Sequence, residues 1–249
     1  MTGAGDGYPD FPGSVGLSHL TAYPWPTADD EHGGSPHLHL ACAECYVVVG
    51  GRGRLVTLSP AGIQESTLQA GDVVWFTPGT IHRAVNDGEL RVVVVMQNGG
   101  LPEAGDAVMT FPAEHLTPGA YPAAASVLDA RGRPDRNRAR ARRDLAVQGF
   151  LELQRQWRQG NSGALDDFYR AAAALVRPRL EAWEKTVQEG AAAAARTTLR
   201  QIDALRAGDW AHLRHAEVSR IAEPPQQSLG MCGFLRAYDP IRRAGPPDT

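Results

Sequence analysis

The chain has 249 residues, room for one large domain or a domain with a satellite. Its 27 glycines and 18 prolines stay below the ~25–30% share of a low-complexity disordered chain, and 43% hydrophobic residues suffice for a buried core. A net charge of −3 does not favour nucleic acid as a partner, and no apolar run, that at 92–96 included, comes near the length that spans a membrane.

The charge is split. Residues 1–136 carry a balance of −8 and residues 137–222 a balance of +5, as expected of two structural units that attract each other. The opening residues show neither a basic patch nor an apolar stretch, so no secretory signal is expected. Three cysteines, an odd number, do not make a disulfide framework, and a cytoplasmic location is the expectation.

In chain order, the texture from about 16 to 108 is β. Strands are predicted over 16–23, 37–49, 54–57, 65–68, 73–77, 82–85 and 90–97. Between them lie turn signals at Gly50-Gly51, Pro60-Ala61-Gly62, Ala70-Gly71-Asp72, Pro78-Gly79 and Asn86-Asp87-Gly88. Short strands at this spacing, without intervening helices, predict a sandwich, jelly roll or barrel. The stretch 99–134 is rich in Pro, Gly and Ala, with one short helix expected near 113–116. From 137 the period becomes helical: Val147, Phe150, Leu151, Gln154 and Trp157 share a face, and Gly160 is a stop. A second helix follows Asn161 or Ser162 and is expected to break at Pro178. A third carries Leu199, Ile202 and Leu205 on its apolar face, and Asp209 caps a fourth running to Ile221. The run from Met231 to Leu235 is expected to return to the β part as an edge strand.

The chemistry concentrates in the segment from Pro36 to Gly51. His37 and His39, two residues apart on a strand, point to one face. Glu44 joins them if a bulge or turn at 41–43 corrects its parity. About forty residues on, His82 follows the Pro78-Gly79 turn. Three imidazoles and a carboxylate form a mixed nitrogen and oxygen site for one divalent Fe, Mn, Ni, Co or Zn ion with open positions.

These stretches resemble the paired motifs of the cupin superfamily. His37, His39, Glu44 and Gly51 match its first motif; Gly71, Pro78, His82 and Asn86 match its second, with six residues between Gly71 and Pro78 where five are usual. The departures touch turns and not ligands. The resemblance implies a double-stranded β-helix (jelly-roll) barrel over 15–108 with a metal in its mouth, and a homodimer paired through sheets. Around it we expect a linker over 109–136, a helical region over 137–222 and a tail over 223–249.

Tyr46, sharing the parity of Glu44, is expected to face the interior and contact substrate or hold Glu44, with a packed core tyrosine as the alternative. Gln97 is the candidate polar substrate contact at the mouth, with Asn98 beside it. Cys42 and Cys45 form a Cys-x-x-Cys without a following helix to activate a thiol, and read as buried small residues. His212 and His215 read as a solvated helix face. The arginine-rich run 131–143 contains no aromatic residue for base stacking and reads as a charged linker entering a helix, with an anion or acidic-partner site as the lesser alternative.

The resulting expectation is a mononuclear metal-dependent enzyme acting on a small organic molecule, of the dioxygenase type (an oxidoreductase), with Glu44 as ligand and proton acceptor. The alternatives are a sugar or sugar-acid isomerase or epimerase and a non-catalytic small-molecule sensor. Neither nucleic acid nor membrane is an expected partner.

Overall fold

A computed structural model describes residues 11–238. Nine strands make one curled antiparallel sheet: β1 (Gly16–Ala22), β2 (His37–Leu38), β3 (Glu44–Ser59), β4 (Gly62–Gln69), β5 (Val73–Phe76), β6 (Ile81–Met96), β7 (Val108–Met109), β8 (Ser228–Leu229) and β9 (Gly233–Tyr238). The order runs β4-β3-β6-β1-β9-β8, with β5 on β3 and with β2 joining β6 to β7. This is a double-stranded β-helix whose outermost strands on one side come from the C-terminal tail.

Two turns expected from sequence punctuation are bulges instead. β3 runs through Gly50-Gly51 and β6 through Asn86-Asp87-Gly88 while the two stay paired, with register slips between Val48 and Gly53. Glycine makes the passage feasible. Gly51 has φ +68°, and a Cβ there would lie 2.1 Å from the Glu89 carbonyl oxygen. Such bulges let a long strand pair curl, so two strands cover what the punctuation divides into four. The expected strand 37–49 is likewise broken: β2 ends at Leu38 and the chain bends through 39–43 before β3 begins.

The helices are α1 (Tyr121–Ala125), α2 (Arg136–Arg158), α3 (Gly163–Val176), α4 (Leu180–Glu189) and α5 (Ala191–Arg206). Asp135 caps α2 by accepting the Arg138 amide, and a 3-10 turn at Arg177–Arg179 carries Pro178 between α3 and α4. The fourth expected helix shrinks to a 3-10 turn at Ala211–His215, because no apolar face there is buried and so short a helix is marginal without packing. The third expected helix forms as α5, and its Leu199, Ile202 and Leu205 are exposed. The arginine run also departs from a simple solvated linker. Its last two residues, Arg142 and Arg143, are buried within α2.

One hydrophobic core joins barrel and helices. Leu20, Leu38, Val48, Leu55, Leu58, Ile81 and Val92 of the β part cluster with Phe150, Leu165, Phe168, Ala172, Val176 and Trp183 of the helical part. Each large side chain in such a core contributes about 1.5–3 kcal/mol of burial, so burial of apolar surface holds the helices on the barrel.

Candidate metal centre

Four expected ligands meet at one place. His37 on β2 lies directly opposite His82 on β6. His39 follows β2, and Glu44 opens β3. All four are buried, and their ligand atoms lie within 4.8 Å of one another. The His37 and His82 ring centroids are 4.2 Å apart, those of His37 and His39 5.2 Å.

The parity problem of Glu44 is solved by a residue that no motif indicates. Asp106, fully buried, reaches into the 39–43 bend, where its carboxylate accepts the amides of Leu40 (2.7 Å), Ala41 (3.1 Å) and Cys42 (2.8 Å). Its own carbonyl accepts the Nδ1–H of His39. One residue thus orders the bend and orients a ligand. It stands more than sixty positions away in the Pro- and Gly-rich stretch, where local pattern carries no signal.

The other two imidazoles are fixed in the same manner. His37 Nδ1 donates to Ser35 O at 2.9 Å and His82 Nδ1 to Thr80 O at 3.1 Å. A carbonyl only accepts, so Nδ1 holds a proton in each ring and Nε2 is the atom each ring turns toward the other ligands. Glu44 Oε2 approaches His39 Nε2 at 3.0 Å and His82 Nε2 at 3.2 Å. Yet neither Glu44 Oε2 nor His82 Nε2 completes an aligned hydrogen bond. Buried, convergent acceptors without donors are the arrangement a cation satisfies, and carbonyl-oriented imidazoles are how proteins hold metal-binding histidines. The donor set therefore fits a divalent transition ion.

Electrostatics agree. Burial, then the neighbouring His82 and His39, hold His37 well below the usual imidazole range, so it is neutral. Burial alone would raise Glu44, but His82 and His39 keep it well below the usual carboxylate range, so it is ionised. His39 moves the other way. Burial would lower it, but the Glu44 contact raises it, so without metal His39 keeps its second proton to higher pH than a free imidazole does.

Phe76 leans on His82 with centroids 4.2 Å apart, and Tyr46 meets Phe76 edge-on at 5.5 Å. Tyr46 is buried, with its hydroxyl 3.7 Å from Cys232 Sγ, a residue brought in by the tail 186 positions away. Burial, aided by Cys232 and Glu44, pushes the Tyr46 phenol well above its ordinary range. Gln97 does not join the group. It is exposed, one position out of phase with inward Met96, and its Oε1 accepts the Ala43 amide. Asn98 is buried beside Cys42, whose thiol is 3.8 Å from the Asn98 carbonyl. The thiols of Cys42, Cys45 and Cys232 are all free.

The helical layer holds both the turn before His82 and the segment that leads to Asp106. Tyr169 of α3 donates to Gly79 O (2.8 Å) in the turn before His82, and Trp183 of α4 donates Nε1–H to Ala104 O (3.1 Å), two residues before Asp106.

A family model described as "Cupin domain" matches residues 28–96. Among solved structures, the chain is similar to an uncharacterized conserved protein with a double-stranded β-helix domain from Klebsiella pneumoniae, at 21% identity over 35% of this chain and 70% of that one, with a TM-score of 0.29. It is also similar to the capsular polysaccharide assembling protein CapF from Staphylococcus aureus, at 22% identity over 36% of this chain, with a TM-score of 0.30. There it spans only 25% of the CapF chain. A third similar structure is Streptomyces Pac13, described as a nucleoside dehydratase, at 16% identity over 38% of this chain and 67% of that one, with a TM-score of 0.29. No curated protein matches the chain. With its paired motifs, its double-stranded β-helix and the family match in agreement, the N-terminal part of this chain is a cupin domain of the cupin superfamily, to which a helical layer is added.

Proposed function

We propose that the chain is a mononuclear metal-dependent enzyme in which His37, His39, His82 and Glu44 hold one divalent transition ion, and that its reaction is a dioxygenase-type oxidation of a small organic molecule. The observation that carries this reading is the convergence of three imidazole Nε2 atoms and one ionised carboxylate on a single buried point, where Glu44 Oε2 and His82 Nε2 complete no hydrogen bond. When bound, such an ion supplies Lewis-acid polarisation and, as iron or manganese, a route to O2.

The chain's own residues supply the rest. Glu44 Oε2 is an ionised proton acceptor at the reacting point. Tyr46 keeps its phenolic proton and offers a fixed hydroxyl for orientation. Phe76 and the aliphatic interior exclude water. The lining favours an apolar or aromatic molecule over a polyhydroxylated sugar, which ranks the isomerase second. We propose further that the functional unit comprises the barrel (15–108), the linker (109–136), the helical region (137–222) and the tail (223–249) together. Three free thiols support a reducing, cytoplasmic setting for it. A homodimer is supported by an apolar outer sheet face: Trp75 (70% exposed) and Val73 (54%) adjoin Cys45 and Val47 on β3, then Val95 and Val93 on β6.

The deciding experiment is metal analysis of the protein as isolated, followed by oxygen-uptake screening of the Fe(II) form. Oxygen uptake coupled to loss of an aromatic or aliphatic substrate is expected. Substrate conversion without oxygen, under a redox-inert ion such as Zn, would replace the dioxygenase with the isomerase.

A further inference from the structure

Three arginines are buried among the described residues, and two of them are matched by carboxylates. Arg83 forks onto both oxygens of Asp29 and adds Thr27. Arg143, 1% exposed, gives Nε and Nη2 to Asp144 and reaches the carbonyls of Trp25 and Pro26. Arg142, its neighbour on α2 and 7% exposed, meets no carboxylate among the described residues. Its single hydrogen bond runs from Nη2 to Gly230 O at 2.5 Å; Nε is buried without a partner, and Nη1 has none among the described residues.

A guanidinium cannot shed its proton, so this leaves a largely buried positive charge with no matching carboxylate beside it and an Nε–H without a partner. The groups facing it from the elements packed around it do not compensate. Tyr23 donates its hydroxyl to the same Gly230 carbonyl, and Tyr121 donates to Ala107 O while accepting the Met109 amide. Burial pushes both Tyr23 and the Cys232 thiol up to about 12, so neither supplies a negative charge. Ser35 Oγ, whose backbone amide bonds to Met231 O beside Gly230, is another buried polar atom without a partner. Among the described residues the cluster holds a cation and hydroxyls and no carboxylate. Cys232 links it to the metal centre, within electrostatic reach of Arg142 on one side and Glu44 on the other, its sulfur 3.7 Å from the Tyr46 hydroxyl.

We infer that Arg142 is an anion-binding residue, whose free donors take a small carboxylate or similar oxyanion between α2, the 230–232 segment and the barrel wall. Guanidinium recognises such groups by charge-assisted hydrogen bonds. The oxyanion has two available sources, a free anion or the acid group of the molecule that reaches the metal. The second source rests on the metal-enzyme reading above.

The test uses the full chain, first without metal. Sodium acetate, and separately inorganic phosphate, is titrated against a fixed chloride background while the thermal midpoint is followed. A saturable rise is expected in the parent, because an anion that binds only the folded state stabilises it. Arg142→Gln should abolish the rise, and Arg142→Lys should weaken the apparent affinity about tenfold, since lysine keeps the charge but not the fork. Absence of saturation in the parent with either anion overturns the inference, as does a parent-like response in Arg142→Gln. Should Arg142→Gln not fold, a parent-like affinity in Arg142→Lys overturns it.

A second arm adds dicarboxylates from malonate to adipate to the cobalt-loaded protein. A change in the cobalt visible bands that Arg142→Lys loses supports the acid group of a metal-bound molecule as the source. A saturable midpoint shift with unchanged bands supports a free anion. If no cobalt binds, the metal-enzyme reading fails while the first arm still decides on Arg142.

Discussion

His39 holds the most contested proton in the molecule. Its Nδ1–H is committed to the Asp106 carbonyl, and its Nε2 faces Glu44 at 3.0 Å. Because that contact raises its pKa, His39 keeps a second proton at pH values where a free histidine loses it. His37 is held neutral and Glu44 ionised, so neither exchanges a proton with the metal near neutrality. Metal binding at this site would therefore displace the His39 proton. Apparent affinity should rise about tenfold per pH unit below the His39 pKa and level off above it. Calorimetric titration of zinc in buffers of differing ionisation enthalpy should show one proton released; none released at any pH would remove His39 from the ligand set. Asp106 acts on the same ligand from behind. Asp106→Asn keeps one acceptor oxygen but cannot satisfy three amides, and we expect metal affinity to fall about 10–100-fold, the usual effect of a lost orienting partner. The cobalt spectrum should shift as well, because ligand directions change and not only overall stability.

At the scale of the element, α3 and α4 act on the metal through the loops they hold. Tyr169→Phe removes one hydrogen bond to Gly79 and should cost only about 0.5–1.5 kcal/mol, yet it should speed metal release, since that turn sets His82. Phe168→Ala, in the shared core one position away, should cost about 3–5 kcal/mol in chemical denaturation without a comparable change in affinity for the surviving folded fraction. Equal effects of both variants on metal release would mean that packing, and not the Gly79 bond, controls the loop. The paired bulges of β3 and β6 are the other sensitive element. Gly51→Ala places a methyl group against the Glu89 carbonyl at a positive φ, so a loss of more than about 1 kcal/mol is expected from the backbone conformation alone, before the clash is added.

The whole molecule behaves as one unit, because its core does not stop at the end of the β part. A fragment ending at 136 would uncover the surface now packed against Phe150, Phe168 and Trp183 and lose the Tyr169 and Trp183 bonds together. We expect it to aggregate and to bind metal poorly by gel filtration and metal analysis; a monodisperse fragment with full metal content would make the helices an independent module. On the opposite surface, Trp75→Glu should convert a dimer to a monomer in sedimentation without altering metal content, because Trp75 points away from the ligands while adjacent Phe76 packs on His82.

Much of this was legible in one dimension, for a physical reason. Strand alternation and Gly/Pro punctuation are local, so the β texture, the helical period after 137 and the convergence of His37 and His39 could be read directly. The paired motifs then pointed to His82 and Glu44, and the need for a bend at 41–43 followed from parity alone. Punctuation misled where glycine serves a bulge and not a turn, as at Gly51, since local sequence does not reveal whether a partner strand continues alongside. Amphipathic spacing located α5 but did not tell whether its apolar face is covered, because periodicity offers such a face without supplying a surface to cover it. The tertiary structure alone decided which distant groups complete the site. Asp106 reaches the bend across more than sixty residues, Cys232 reaches Tyr46 across 186, and Arg142 is carried from a charged run into the interior. Each depends on long-range packing between segments whose own sequences look like loop, tail and linker.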